Sequence, residues 1–382
     1  MARIVTESFQ GNHLFRFGNV FGINGVPTVG LASSFGIADM DETRCISMGP
    51  FDDNLELPFQ DSTGVIVTPT EAFVGFFHVS SDPTNQSPPG VGASNGTEWH
   101  RLITFWMDNT DICTVRIDPT TAKLQARLGA FYFTALNVAF VGTYPTTLLA
   151  NSTQTSPIFG GTLYHVQVRV KLNGASSIVQ VKLDDNLVID WTGTLPGTTM
   201  NRVMFHSSGA SYAESYGDQF YDSIVINDTT AATCATDATW PGVLRFKTQL
   251  VSGAGFYSQF TPFPAAPNFA NVDDLPNNAD TDYNFALSSG LKDSFPTSPH
   301  GLDVANTTFR AWFQEVIARK TSGTFKIKLG VRRSGVDYLD ATSRDLGVSY
   351  DVFDSRRCLD PSSLVFWTGL GLDSTEVIYQ II

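Results

Sequence analysis

The chain has 382 residues with 24 Lys and Arg against 37 Asp and Glu, a formal charge of −13. That balance excludes ordinary electrostatic binding to nucleic acid, because phosphate contacts need a cationic surface. Hydrophobic residues make up 42%, including 29 Phe, so the chain builds a sizeable core, while only 16% of residues are charged where about 25% is usual, leaving a Ser, Thr, Asn and Gly surface suited to a subunit of something larger.

The opening MARIVTESFQ lacks the apolar core of a secretion signal, so a product of the cytoplasm is expected. Asp39, Asp41 and Glu42 come nearest to the paired carboxylates of a glycan hydrolase, but no apolar alternation flanks them and they read as solvated loop. Strand candidates follow at GVIV (64–67), AFVGFFHV (72–79), HRLITFWM (100–107), ICTVRI (112–117) and KLQARL (123–128), separated by Gly, Pro, Asp and Asn. FYFTALNVAFVG (131–142) is interrupted by Thr and Asn and falls short of the about 18 to 20 apolar residues of a membrane span, so no membrane insertion is expected.

The clearest alternation lies at 163–172, where Tyr164, Val166, Val168, Val170 and Leu172 interleave with His165, Gln167, Arg169 and Lys171. A turn at Asn173-Gly174 leads to IVQVKL (178–183), and Asp184-Asp185-Asn186 leads to LVIDW (187–191), which together predict a three-stranded antiparallel meander. Asp184 to Asn186 resembles a fragment of a calcium loop, but the closing Glu of the ligand series is missing, and a hairpin turn explains the residues without metal. VMFHS (203–207) and QFYDSIVI (219–226) complete the strands, whose spacing predicts a sandwich or barrel.

Between Asn227 and Gly242 the periodicity gives way to small polar residues, which places a boundary between domains 1–232 and 233–382. Residues 253–301 show little regular pattern beyond aromatic anchors such as Phe256, Tyr257, Phe260, Phe263 and Phe269, and a loop of that length is suspected of making contacts. In 307–333, TTFRAWFQEVIARK is followed by the turn Thr321-Ser322-Gly323 and the alternating TFKIKLGVRR. A β-hairpin is the stronger reading, with a helix over 307–320 left open.

Chemistry-bearing residues do not assemble into a motif. Cys45, Cys113, Cys234 and Cys358 are far apart and read as isolated buried thiols. His13, His78, His100, His165, His206 and His300 are scattered, with no zinc spacing. No nucleophile elbow or phosphate loop occurs. Trp99, Trp106 and Trp191 are candidate platforms for stacking on sugars, with core packing the stronger reading for the last two. No catalytic residue, metal or cofactor is expected, and ligand-binding residues stay unassigned.

The phrases at 163–193, with Asp-Asp-Asn at 184–186 and Asp-Trp at 190–191, resemble the laminin-G and concanavalin-like jelly roll; Asp218 to Ile226 resembles its penultimate strand, and Glu7-Ser8-Phe9 its first strand, which would pair near 220–226. Over its whole length the chain is similar to structural proteins of tailed bacteriophages, on the MARIVTESF start, Trp240 to Arg245, Asn271 to Pro276 with Asp280 to Tyr283, and Ala318 through Gly335. The resemblance implies an all-β chain, an antiparallel jelly-roll sandwich followed by a second, smaller β-sandwich domain. It implies a virion component of tail, fibre or head decoration, partnered by further copies of itself and other virion proteins, and it favours strand for 307–320. A lectin-like module that recognises host surface glycan is the alternative, and an acidic catalytic pair does not carry over.

Overall fold

The computed structural model describes residues 3–7, 19–21, 28–31, 44–48, 54–59, 66–80, 99–108, 110–118, 121–128, 147–206, 208–209, 219–229, 239–244, 247–264, 267–273, 280–303 and 307–382. The chain is all-β and divides into two compact units, the first ending at Phe246 and the second running from Lys247.

The first unit is an antiparallel jelly-roll sandwich of two sheets with eight described strands each. In the first sheet, Tyr164–Lys171 lies between Ser177–Leu183 and Glu71–Ser80, with Val166, Val168 and Val170 opposite Leu183, Val181 and Val179 on one side and Phe76, Val74 and Ala72 on the other. This register puts every valine of the alternation on the core face, as period-two patterning requires. Both predicted turns form: Gly174 has φ +57, and Asp184 and Asp185 have φ +48 and +64, the left-handed pair that a two-residue hairpin needs. Of the expected first strand Glu7-Ser8-Phe9, only Glu7 lies in the described residues; it ends the strand Arg3–Glu7, which runs antiparallel to Gln219–Asp228 with Glu7 opposite Ile224.

The second sheet runs Thr147–Asn151, Leu124–Leu128, Thr110–Ile117, Trp99–Met107, Arg202–His206, Asn54–Pro58 and Asn19–Phe21, with Ser208–Gly209 added to Trp99–Met107. Phe76 from the first sheet meets Phe205 from the second edge to face at 5.2 Å, and Tyr221 packs on both. Of GVIV, only Ile66 and Val67 lie in the described residues; they belong to no named strand, and Ile66 is exposed. On the outer face of the first sheet lies Trp240-Pro241-Gly242. The Trp240 ring packs on Phe73 at 5.5 Å beneath the Lys182 ammonium, and the Gly242 N–H donates to Gln167 Oε1 at 2.8 Å. A Cβ on Gly75 would stand 3.3 Å from Pro241.

In the second unit, a five-stranded sheet orders Lys292–Pro296, Thr375–Ile381, Lys326–Arg333 and Val336–Leu339, with Arg344–Asp345 also on Lys326–Arg333. Phe295, Ile327, Leu329, Tyr379 and Ile381 form its core with Phe353 and the half-buried Val316, which come from the separate pair Trp312–Ala318 and Asp351–Arg357. Trp312–Ala318 is therefore a strand, but the predicted hairpin with 324–333 is not formed. Trp312 lies opposite Arg357, whereas Lys326–Arg333 takes Thr375–Ile381 and Val336–Leu339 as neighbours. The alternation of Lys326–Arg333 identified its buried face but carried no information about which strands flank it.

Residues 253–301 are more regular than their sequence suggests, with Thr261–Phe263 paired to Tyr283–Phe285, a 3-10 turn at Asn268–Asn271 and the core strand Lys292–Pro296. Several of their backbone groups are satisfied by side chains. The buried carboxylate of Asp293 accepts from Gln259 N at 2.6 Å, Phe260 N at 3.0 Å and Asn268 Nδ2 at 2.7 Å. The cysteine expectation also needs correction, since Cys358 is disulfide-bonded; Cys113 is free and buried, while Cys234 and the Cys45 side chain lie outside the described residues.

Candidate functional site

The two faces of the second sheet differ in chemistry. Ile103, Phe105, Cys113, Val115, Ala126, Val203, Phe205, Leu55 and Leu57 occupy aligned register positions and are buried against the core. Residues directly opposite on antiparallel strands share a face. The alternate positions therefore lie outward, and they bring together Glu56, Arg101, Thr104, Trp106, Asp111, Thr114, Arg116, Gln125, Arg127, Arg202 and His206.

Two hydrogen-bonded groups hold this face. In one, Thr104 Oγ1 lies 2.9 Å from Thr114 Oγ1 and 2.8 Å from His206 Nε2. Burial, reinforced by the nearby Arg101 guanidinium, holds His206 well below the usual histidine range, so the ring is neutral at pH 7. In the other, Gln125 is the hub. Its Oε1 accepts from Arg116 Nε at 3.0 Å, Arg116 Nη2 at 2.7 Å and Arg127 Nε at 3.2 Å. Its Nε2 donates to Asp118 Oδ2 at 2.9 Å and Asn151 Oδ1 at 2.8 Å. Burial first, then the neighbouring Arg127 charge, bring the Arg116 pKa down to about 9 against the opposing pull of Asp118.

Beside these groups, the Arg202 guanidinium sits 5.4 Å from the centre of the Trp106 ring and 3.4 Å from Glu56. Trp106 is buried, as a packing residue should be, but it lies on the outward face rather than in the core between the sheets. Its indole N–H is buried without a hydrogen-bond acceptor among the described residues. Arg101 and Arg116 are each 3% exposed, whereas Arg127 and Asp118 are half-buried and Asn151 is exposed, so the row is closed at its centre and open toward the edge strand Thr147–Asn151.

The other sequence candidates do not converge here. Trp191 is half-buried with its ring folded over Gly193, where a Cβ would stand 2.4 Å away. The Trp99 side chain and Asp39, Asp41 and Glu42 lie outside the described residues, as do the side chains of His13 and His100. His165 packs against Phe77, His78 bonds Gln219, and His300 stacks on Phe309. Among the described residues no group of three His, Cys, Asp or Glu is placed to hold a metal ion, and no helix is long and apolar enough to cross a membrane. Sequence reading missed Arg101, Arg116, Gln125 and Arg127. The signal was the inverted alternation of CTVRI and LQARL, in which Thr, Arg and Gln repeat at every second position.

No family model matches the chain, and no curated protein does. Among solved structures it is similar to a sialidase, at 16% identity and a TM-score of 0.36 over 60% of this chain, where it spans 19% of the sialidase's length. It is similar to the alginate lyase Aly36B at 16% identity and a TM-score of 0.34, covering 59% of this chain and 96% of that one. It is also similar to the carbohydrate-binding module CBM66 from Bacillus subtilis, at 13% identity and a TM-score of 0.28, covering 50% and 90%. Likenesses at this level carry no argument about ligand or activity.

Proposed function

We propose that the first unit is a glycan-binding module that uses the outer face of its second sheet. The observation that carries this reading is the buried indole N–H of Trp106, which has no acceptor among the described residues, in a row of fixed hydrogen-bonding side chains. Buried donors are almost always paired, and a sugar hydroxyl supplies the missing acceptor. Strands about 4.8 Å apart repeat such groups at roughly the width of a sugar ring, and the half-buried Arg127 and exposed Asn151 at the open edge of the row are where a sugar makes its first contact. The role is recognition without bond cleavage.

Calorimetry and glycan-array binding with purified protein test this, with Trp106→Phe as the informative variant because it keeps the ring and removes the N–H. Binding weakened about tenfold is expected. Binding of no glycan class would overturn the reading, and shortened products after incubation with a bound glycan would replace recognition by catalysis.

A second reading concerns the C-terminal unit, which we propose as an assembly surface, in keeping with the virion role that the sequence resemblance implies. Leu364, Val365, Phe366 and Leu370 are 73%, 57%, 46% and 84% exposed within seven residues. Apolar side chains in such a run mark contact surfaces more often than solvent faces. Light scattering over a concentration series tests self-association, and a monomer throughout would count against further copies of the chain as the partner.

A further inference from the structure

We infer that the C-terminal unit carries a separate ligand platform, the exposed ring of Phe256, and that its ligand is a neutral pyranose with equatorial hydroxyls. The inference does not rest on the reading of the first unit. Phe256 is 65% exposed. Its backbone is nonetheless fixed: the Phe256 N–H donates to Glu376 Oε2 at 2.9 Å, the Gly255 N–H to the Ser294 carbonyl at 3.0 Å and the Tyr257 N–H to Ser294 Oγ at 3.0 Å. An apolar ring presented to solvent from a fixed backbone takes up a ligand without the cost of ordering a loop.

The surroundings of the ring define what can lie on it. The Arg332 guanidinium stacks 3.9 Å from the ring centre, and Tyr257 meets the ring edge to face at 4.9 Å. Tyr257 is itself held by its hydroxyl, which donates to Asp337 Oδ2 at 2.9 Å. The Lys292 ammonium lies 5.0 Å from the Tyr257 ring and 2.9 Å from the same carboxylate oxygen. Asp337 also pairs with Arg332. With these contacts in place the Phe256 ring still keeps an open face. Beside it, Glu376 Oε1 accepts from none of the described residues, since Oε2 takes both the Phe256 N–H and the Ser294 hydroxyl, the latter at 2.6 Å. Arg332, directly opposite Glu376 on the neighbouring strand, bonds Asp337 through Nη1, which leaves its Nε and Nη2 without an acceptor among the described residues.

Charge and shape together choose the ligand. Lys292 and Arg332 cancel Asp337 and Glu376, so an ion gains little net attraction here. A wholly apolar partner would cover Glu376 Oε1 and the Arg332 N–H groups and leave them unpaired, which is costly. A pyranose with equatorial hydroxyls meets both demands. Its C–H face lies on the open face of Phe256, while one hydroxyl at its rim donates to Glu376 Oε1 and another accepts from Arg332.

The test is binding of the full chain to cellotetraose, read by calorimetry and by saturation-transfer NMR, with sorbitol as a polyol that has hydroxyls but no ring face. Cellotetraose should bind, with transfer strongest to the C–H protons of a ring face, and sorbitol should not. Phe256→Ala should weaken that binding about tenfold, and Phe256→Trp, which enlarges the platform, should retain or strengthen it. Leu287→Ala trims another exposed apolar residue of the same unit and should leave binding unchanged. Matched thermal unfolding confirms that each variant is folded. Cellotetraose binding that Phe256→Ala leaves intact would overturn the inference and leave glycan recognition by the first unit standing. No binding of cellotetraose, or equal binding of sorbitol, would overturn it as well, whereas a glycan-array signal lost in Trp106→Phe would still uphold the first unit. A shift toward monomer in light scattering on Phe256→Ala would make the ring an assembly contact and equally overturn the sugar.

Discussion

The hydroxyl of Tyr221, rooted in the first sheet, donates to the carbonyl of His206 in the second at 2.6 Å and lies 3.3 Å from the carbonyl of Leu102. A single side chain thereby ties the two layers of the sandwich at a point where both partners are buried. Tyr221→Phe keeps the ring packing against Phe76 and Phe205 but leaves these carbonyls without the donor. A loss of about 1 to 2 kcal/mol in urea unfolding is expected. Burial also raises the Tyr221 and Tyr379 pKa values above the usual tyrosine range, so their contribution is complete below about pH 10 and lost at higher pH.

The acid limb is governed by buried histidines. Burial outweighs the hydrogen bond to Gln219 and lowers the His78 pKa from 6.5 to about 4. The folded state therefore holds this ring neutral while the unfolded state protonates it. Stability from His78 is present above about pH 6.5 and is lost as the pH falls through 4, by roughly 3 kcal/mol in full. His206 acts in the same direction. Urea midpoints at pH 7.5 and 4.5 should differ accordingly, and His78→Gln should reduce the difference.

Gly330 is required by a close backbone approach. A Cβ there would stand 2.2 Å from the carbonyl oxygen of Tyr338 and 2.8 Å from Leu339 Cα, both main-chain atoms that cannot swing aside. Gly330→Ala should cost the C-terminal unit about 2 to 3 kcal/mol by forcing the Val336–Leu339 pairing apart. Hydrogen exchange should locate the loss in Lys326–Arg333 and Val336–Leu339, and unchanged protection there would contradict the steric account.

The thiol of Cys113 is fully buried, and burial, with Asp111 nearby, raises its pKa far above the ordinary value. Since the thiolate is the reactive form, iodoacetamide at pH 8 should leave Cys113 unmodified in the native protein and label it after unfolding. Rapid native labelling, mapped by peptide mass, would show that the sandwich opens at this strand.

Much of the first unit was legible because its strands carry strict alternation. Val166, Val168 and Val170 identify both a strand and its inward face, and Asp184-Asp185 specifies the turn that follows. The partner of Trp312–Ala318 was not legible, since pairing with Asp351–Arg357 joins segments more than thirty residues apart and no local pattern records it. The polar row was partly legible. Thr114, Arg116, Gln125 and Arg127 alternate visibly, but apolar neighbours on the opposite face dominate any hydropathy reading of those strands. That Arg101 stands opposite Arg116 depends on a bulge between Arg101 and Ile103, which shifts the register by an amount that single-sequence reading does not resolve.

The contact between Gly75 and Pro241 links positions 166 residues apart in a way that inheritance must respect. With 3.3 Å between a would-be methyl and the proline ring, alanine at 75 requires Pro241 to give by a few tenths of an ångström, and bulkier side chains press on the segment that seats Trp240 against Phe73 and Lys182. The two sites are thus coupled: descendants that keep the tryptophan and proline should favour small residues at 75, and lineages that lose them should tolerate larger ones.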